Sequence, residues 1–298
     1  MRDITEIENK EKTAVALGFF DGLHLGHIEV IKRALMKGGL KSVVFTFNGN
    51  TPLPKFRKSR SKSIITHWQK ADFFDKMGFD YIYAPDFNDV KDYSAEDFIS
   101  EIIGKRLNAG YVVCGYDFRF GKGGAGNPEM LERLCSEKGI ECEIVPAVSY
   151  EGEIVSSTVI RSLIEEGEIE KANRLLGYEF SYMLPVSEGK KLGRELGFPT
   201  INQEIPEEMV CPRFGVYGTW TEIEGRVYKS VTDVGVRPTV ENNGRIIAET
   251  HIIGFNGDLY GKEVRVFFRF FIREERKFEA VELLREQLRK DIALVKEG

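Results

Sequence analysis

Residues 17–27 read Leu-Gly-Phe-Phe-Asp-Gly-Leu-His-Leu-Gly-His and hold two of the chain's four histidines, His24 and His27. An apolar run at 14–17 precedes them and a helix-period segment at 28–35 follows, so both imidazoles sit where a strand turns into a helix N-terminus. Such a terminus presents unpaired N–H groups and the positive end of a dipole, a natural seat for a phosphate. Gly18, Gly22 and Gly26 allow the backbone to approach an anion closely, with Phe20 and Asp21 completing the turn. Imidazoles there can donate to oxygens that gain charge in a transition state. A structural histidine pair is the alternative, but the turn and its Asp21-Gly22 favour a nucleotide-phosphate site.

Two further segments of the first half carry polar groups at turns. Ser156, Ser157 and Thr158 stand at a loop-to-helix junction, where a hydroxyl can simply cap the helix. Arg161, one turn on, can reach an anion held at the same terminus. Residues 115–124, Gly-Tyr-Asp-Phe-Arg-Phe-Gly-Lys-Gly-Gly, follow a strand-like run. Asp117, Phe118 and Phe120 in that loop suit the edge and face of a flat ligand, although an ordinary surface loop fits equally well.

In the second half, glycines at 189, 193 and 197 space a flap able to fold its backbone over phosphates, with Arg194 beside Gly193. Thr200 and Asn202 alternate with Ile201, so an extended strand points their oxygens the same way, as a hard cation such as Mg²⁺ requires. Glu249 and His251 share a face of the strand run at 246–253. A carboxylate there can serve as a general base toward a hydroxyl, or be a plain solvent-facing barrel residue.

Strand-like runs at 42–47, 81–83, 111–115 and 142–145 alternate with helical segments at 67–77, 94–107 and 128–138. That alternation predicts a doubly wound parallel sheet, whose ligands bind beyond the carboxyl ends of its strands. From about residue 184 the texture changes to β-rich runs at 214–221, 227–236, 246–255 and 264–272, then one amphipathic helix bearing Phe278, Val281, Leu284, Leu288 and Ile292. Consecutive strands closed by a helix predict a small barrel, and the boundary is expected near 178–181. A chain of 298 residues exceeds one ordinary core, which agrees with two domains. The net charge of −5 argues against a broad nucleic-acid footprint. With no membrane-length apolar run and no signal-peptide pattern, a cytoplasmic protein is expected. Cys114, Cys135, Cys142 and Cys211 lack C-x-x-C spacing and read as reduced structural thiols.

Together these motifs resemble the bifunctional bacterial riboflavin kinase/FAD synthetases over nearly the whole chain. The resemblance rests on F-D-G-x-H-x-G-H at 20–27, G-x-D-F-x-F-G at 115–121 and S-S-T-x-I-R at 156–161. It continues with G-R-x-L-G-F-P-T-x-N at 193–202, G-V-Y at 215–217, E-T-H-I at 249–252, D-L-Y-G at 258–261 and R-x-E-x-x-F at 273–278. It implies an α/β protein: a nucleotidyltransferase domain at 1–180 and a six-stranded antiparallel riboflavin-kinase barrel with a terminal helix at 181–298. Riboflavin, FMN, FAD and ATP are then the ligands, with Mg²⁺ as cofactor, no nucleic acid or membrane partner, and the oligomeric state open. The resemblance makes Glu249 the base of phosphorylation and Thr200 and Asn202 the metal ligands. His24, His27 and Arg161 would stabilise adenylyl transfer, while Asp117, Phe118, Phe120 and Arg273 would contact flavin. Departures occur at 48–54, at Leu184 and Pro185, and at Gly254. One active half, or a flavin-binding regulator without turnover, stays open as the alternative.

Overall fold

Short β-branched runs framed by amphipathic helices assemble into a six-stranded parallel sheet. Its strands are β1 (Arg2–Asp3), β2 (Thr13–Leu17), β3 (Lys41–Phe45), β4 (Tyr81–Tyr83), β5 (Ala109–Gly115) and β6 (Glu141–Val145), in the order β1-β4-β3-β2-β5-β6. The computed structural model describes residues 1–5, 10–48, 62–189, 193, 197–237 and 244–297. All five residues of β2 are buried, as expected of a central parallel strand covered on both faces. From β2 the chain proceeds through α1 (Leu25–Leu35) to β3 on one side, whereas from β5 it passes through α5 (Pro128–Glu137) to β6 on the other. The order therefore reverses between β2 and β5, and the crevice beyond their carboxyl ends is where such sheets bind ligands. The histidine turn and the loop after Gly115 leave that edge from adjacent strands, Leu17 pairing with Cys114.

Between β3 and β5 lie α2 (His67–Lys76), α3 (Phe87–Val90) and α4 (Ala95–Asp97). Thr66 and Gln69 form a reciprocal capping box that starts α2. Ser94 caps α4 through the Asp97 N–H at 3.0 Å, but the expected α-helix continues as a π-helix over Phe98–Arg106. Leu107 N donates five residues back to Ile102 O at 2.9 Å. A small hairpin, β7 (Ser149–Tyr150) and β8 (Glu153–Ile154), precedes α6 (Ser157–Glu166) and α7 (Ile169–Leu176).

The remaining strands are antiparallel: β9 (Ser181–Pro185), β10 (Thr200–Glu204), β11 (Gly215–Ile223), β12 (Arg226–Arg237), β13 (Arg245–Ile252) and β14 (Glu263–Arg273), ordered β10-β13-β12-β11-β14-β9. Glu224-Gly225, with φ of 51° and 78°, gives the two-residue turn that matches strand twist between β11 and β12. The two edges approach each other: Ser187 N donates to Asn202 O at 2.8 Å, and the buried Gln203 amide donates to Leu184 O and Val264 O at 2.7 and 2.8 Å. These bonds close the sheet toward a barrel. Inside it, a line of hydroxyls runs beside the apolar filling of Tyr182, Val266 and Phe268. Thr221, Ser230, Thr219, Thr232 and Thr250 form one hydrogen-bonded chain, each link 2.8–2.9 Å long and each residue fully buried.

By internal contacts the chain forms two units, residues 1–61 with 66–157 and residues 62–65 with 158–298. The helices α6 and α7 thus belong with the barrel although they precede the change of texture near 180. Asn173 of α7 explains part of this: its amide donates to Phe268 O at 2.9 Å and its carbonyl accepts from Phe180 N at 2.8 Å.

The C-terminal helix, Val281–Glu297, lays Ile292 and Val295 over Val216 and Val231 on the barrel's outer face. Fully buried Asp291 anchors it, taking Arg273 Nη2 at 2.8 Å, Arg273 Nε at 3.2 Å and the Gln287 amide at 2.7 Å. Asp291→Ala should destabilise the barrel by about 3 kcal/mol, the low end for breaking a buried pair because Arg273 keeps some solvent contact. Urea denaturation checks this; a loss below about 0.5 kcal/mol would mean the pair is inconsequential. Among the described residues, no helix is long and apolar enough to cross a membrane.

Candidate active sites

The histidine turn is built from backbone strain and aromatic packing. Phe20, Gly22 and Leu23 all adopt positive φ (55°, 80° and 41°), bending the chain sharply off β2. The Phe20 ring fills the space beside Gly18, where a Cβ would lie 2.7 Å from its tip. That ring is 1% exposed and meets His27 and Phe74 edge-on, and Asp21 is also buried. What this turn can offer a phosphate is therefore its backbone and its imidazoles rather than the Phe20 and Asp21 side chains. His24 is the N-cap of α1, its Nδ1 accepting from His27 N at 3.3 Å. An accepting Nδ1 places the neutral ring's proton on Nε2, making that atom a donor. The two imidazoles stack with centroids 3.7 Å apart, and a Cβ at Gly26 would lie 3.2 Å from the His24 ring.

Ser157 joins this turn across 136 residues: its hydroxyl donates to Asp21 O at 2.8 Å. Ser156 is partly buried and Thr158 exposed at the same junction. Arg161 is buried one helical turn along α6, in the unit that contains the barrel. The loop after β5 divides its aromatic pair. Phe118 is partly exposed, and Phe120, 5% exposed, is a core residue packed on Phe98 and stacked beneath Phe118. Phe120, expected to contact flavin, thus lies beneath Phe118, which is the more exposed ring of the pair. Asp117 is exposed at the start of the loop.

The second site follows from strand register. On the barrel's outer face, Asn202 of β10 stands opposite Glu249 of β13, Glu249 opposite Asp233 of β12, Asp233 opposite Val216 of β11, and Val216 opposite Arg273 of β14. Thr200 pairs with His251 one step along, and His251 Nδ1 lies 2.9 Å from Pro199 O. Glu249 is exposed, and Asn202 is 5% exposed with its side-chain oxygen lacking a hydrogen-bond partner. Burial first, then Glu275, pushes the Asp233 carboxyl up to about 6, with Arg273 opposing the rise. Asp233 was missed in the sequence, where it reads as one polar residue within an alternating strand. Arg273, expected to meet flavin, is committed to Asp291 and so ties β14 to the C-terminal helix.

The flap glycines are sterically required where they are described. A Cβ at Gly189 would collide with the Asn202 amide, and one at Gly193 with Phe198 O, while Gly197 has φ of 86°. Arg194 lies outside the described residues, as does most of the departure at 48–54. Gly254 turns with φ of 77° in open space, and Leu184 is a buried β9 residue. A cavity of about 310 Å³ opens beside Thr200, lined by Thr250, Ile252, Phe255, Leu259 and Tyr260 among others. Of this lining, the sequence marks Asn256-Gly257-Asp258 as a turn and 258–261 as the D-L-Y-G motif.

Two family models match: FAD synthetase over residues 6–159 and riboflavin kinase over residues 176–298. A bifunctional riboflavin kinase/FMN adenylyltransferase of Listeria monocytogenes is 35% identical over 93% of this chain and 89% of its own length. One of Bacillus subtilis is 34% identical over 95% of this chain and 92% of its own length. A crystal structure described as a macrolide-efflux protein from Streptococcus pneumoniae superposes with a TM-score of 0.88 at 30% identity, covering 100% of this chain and 98% of that one. With both halves matched in order and relatives spanning nearly its full length, the chain belongs to the family of bifunctional riboflavin kinase/FMN adenylyltransferases.

Proposed function

We propose that the protein makes FAD from riboflavin in two ATP-dependent steps, one on each site. The observation that carries this reading is the pairing, in one chain, of a histidine-capped anion turn at a sheet switch point with a barrel row bearing Asn202 and Glu249. Phosphorylation is assigned to residues 181–298 and adenylylation to residues 1–180.

In the barrel, Glu249 removes the proton from the ribityl 5′-hydroxyl of riboflavin as that oxygen attacks the γ-phosphorus of ATP, leaving FMN and ADP. Asn202 and Thr200 fit a Mg²⁺ ion: both present oxygens on one strand face, and the buried Asn202 Oδ1 has no protein partner. An ion held by these two residues would supply charge neutralisation at the transferring phosphoryl group. The cavity beside Thr200, walled by Phe255, Leu259 and Tyr260, takes the nucleoside. Gly189, Gly193 and Gly197 let the flap backbone lie against the phosphates.

In the first domain, a phosphate oxygen of FMN attacks the α-phosphorus of a second ATP and pyrophosphate leaves. No covalent intermediate is needed. His24, His27 and the α1 N-terminus align the reactants and stabilise charge as it builds, with Ser157 holding the turn through Asp21 O. Phe118 and Asp117 contact the flavin. Incubation with riboflavin, ATP and Mg²⁺ should yield FMN first and FAD later by chromatography. Accumulation of FMN alone would leave only the barrel active, and no product at all would favour a flavin-binding regulator.

A further inference from the structure

Beneath the histidine turn lies a cation that neither step above employs. Lys70 of α2 is 7% exposed, and its Nζ donates to Phe19 O at 3.1 Å and to Thr46 Oγ1 at 3.0 Å. The Thr46 hydroxyl donates to the same Phe19 carbonyl at 3.0 Å, and the ammonium stands 4.8 Å from the centre of the Phe19 ring. Among the described residues Lys70 has no carboxylate at ion-pair distance. Burying an ammonium on neutral partners is unfavourable, so a purely structural anchor would be better served by a neutral donor. Burial lowers its pKa to about 8, against the attraction of Asp21.

The geometry of the turn says what the ammonium does. No peptide bond in the described chain is cis, so each C=O points away from the N–H of the same planar unit. Drawing the Phe19 carbonyl inward onto Lys70 and Thr46 directs the Phe20 N–H the opposite way. The Ser157 hydroxyl, holding Asp21 O, does the same for the Gly22 N–H. Two alternate peptide units before the His24 cap are thus oriented by two buried donors, of which only one is charged.

We propose that Lys70 is a positioning residue for adenylyl transfer: its ammonium sets the orientation of the Phe19–Gly22 turn and places a buried positive charge under the phosphate-binding backbone. This rests on the reading of the first domain as the adenylylation site. The groups facing the ammonium are Phe19 and Asp21 from the turn, Thr46 just past the end of β3, and His67 from its own helix, whose imidazole pKa is lowered by burial and then by Lys70.

The test uses the full chain, supplied with FMN, ATP and Mg²⁺, and reads kcat and KM for FAD formation across pH 7 to about 9.5. In the wild type, kcat should fall as pH passes about 8 and Lys70 loses its proton. Unfolding cannot produce that fall through this residue: a lysine with a depressed native pKa binds fewer protons folded than unfolded, so its contribution to stability grows between about 8 and its ordinary value. Lys70→Met should lower kcat by about 10²-fold, the scale of a displaced reacting geometry, with a smaller change in KM. Lys70→Arg keeps its charge throughout this range and should retain turnover while losing the alkaline decline. Riboflavin phosphorylation by the same chains reports on the intact barrel. A wild-type kcat flat to about pH 9.5, or an alkaline decline unchanged in Lys70→Arg, overturns the proposal, and so does Lys70→Met with wild-type kcat. Absence of FAD from the wild type overturns the adenylylation reading and the proposal with it.

Discussion

His27→Ala should lower FAD formation from supplied FMN by on the order of 10²–10³ in kcat, the effect of removing one donor from a preorganised anion site. Riboflavin phosphorylation by the same variant should continue at its wild-type rate. The expectation follows from where the groups lie. His27 is one turn into α1, stacked on the His24 cap and braced edge-on by Phe20, all within residues 1–61 with 66–157. Asn202, Glu249 and Asp233 lie on the barrel strands of the other unit. Truncating His27 also removes a wall from His24, so part of the loss comes through the neighbouring imidazole. Assays of both products on one preparation check this. Loss of both activities by a folded variant would disprove two independent sites.

Glu249→Gln should lower riboflavin phosphorylation by on the order of 10²–10⁴, the usual contribution of a positioned general base. Glutamine preserves the size and most of the hydrogen-bonding reach of glutamate but cannot take the proton. Riboflavin and ATP binding should change little, because an interaction made in the transition state appears in kcat and not in ground-state affinity. The substitution also removes a negative charge from directly opposite Asp233, so the Asp233 carboxyl should titrate below its present value of about 6. Steady-state kinetics with each substrate varied is the measurement. Near-normal turnover would leave Glu249 a solvent-facing residue of the barrel.

Most secondary structure was legible in the sequence because its signals are local. The apolar run expected at 14–17 forms a strand over 13–17, the helix expected at 67–77 spans 67–76, and these, like the glycine-rich histidine turn, depend on residues within one or two turns of chain. The α-helix expected over 94–107 was half right. A π-helix leaves the apolar spacing almost unchanged, and the shift to i→i+5 bonding over Phe98–Arg106 shows only in the backbone. Phe120 is the opposite case: its neighbours suggested a flavin loop, but the packing of Phe98 against it decided that it is core.

By itself the sequence determined the two architectures, the strand-to-helix turn that carries His24 and His27, and the common strand face of Thr200 and Asn202. All of these follow from residue type at spacings of a few positions. Tertiary structure decided the rest. Strand register alone placed Asp233 opposite Glu249 and Glu249 opposite Asn202, although these residues span more than thirty positions of chain. Packing sent Arg273 to Asp291, joined α6 and α7 to the barrel, and carried Lys70 beneath a carbonyl 51 residues before it. Periodicity reports which face of an element is apolar. It carries no information on which distant face that element meets, and a buried charge acquires its role only from the groups it meets there.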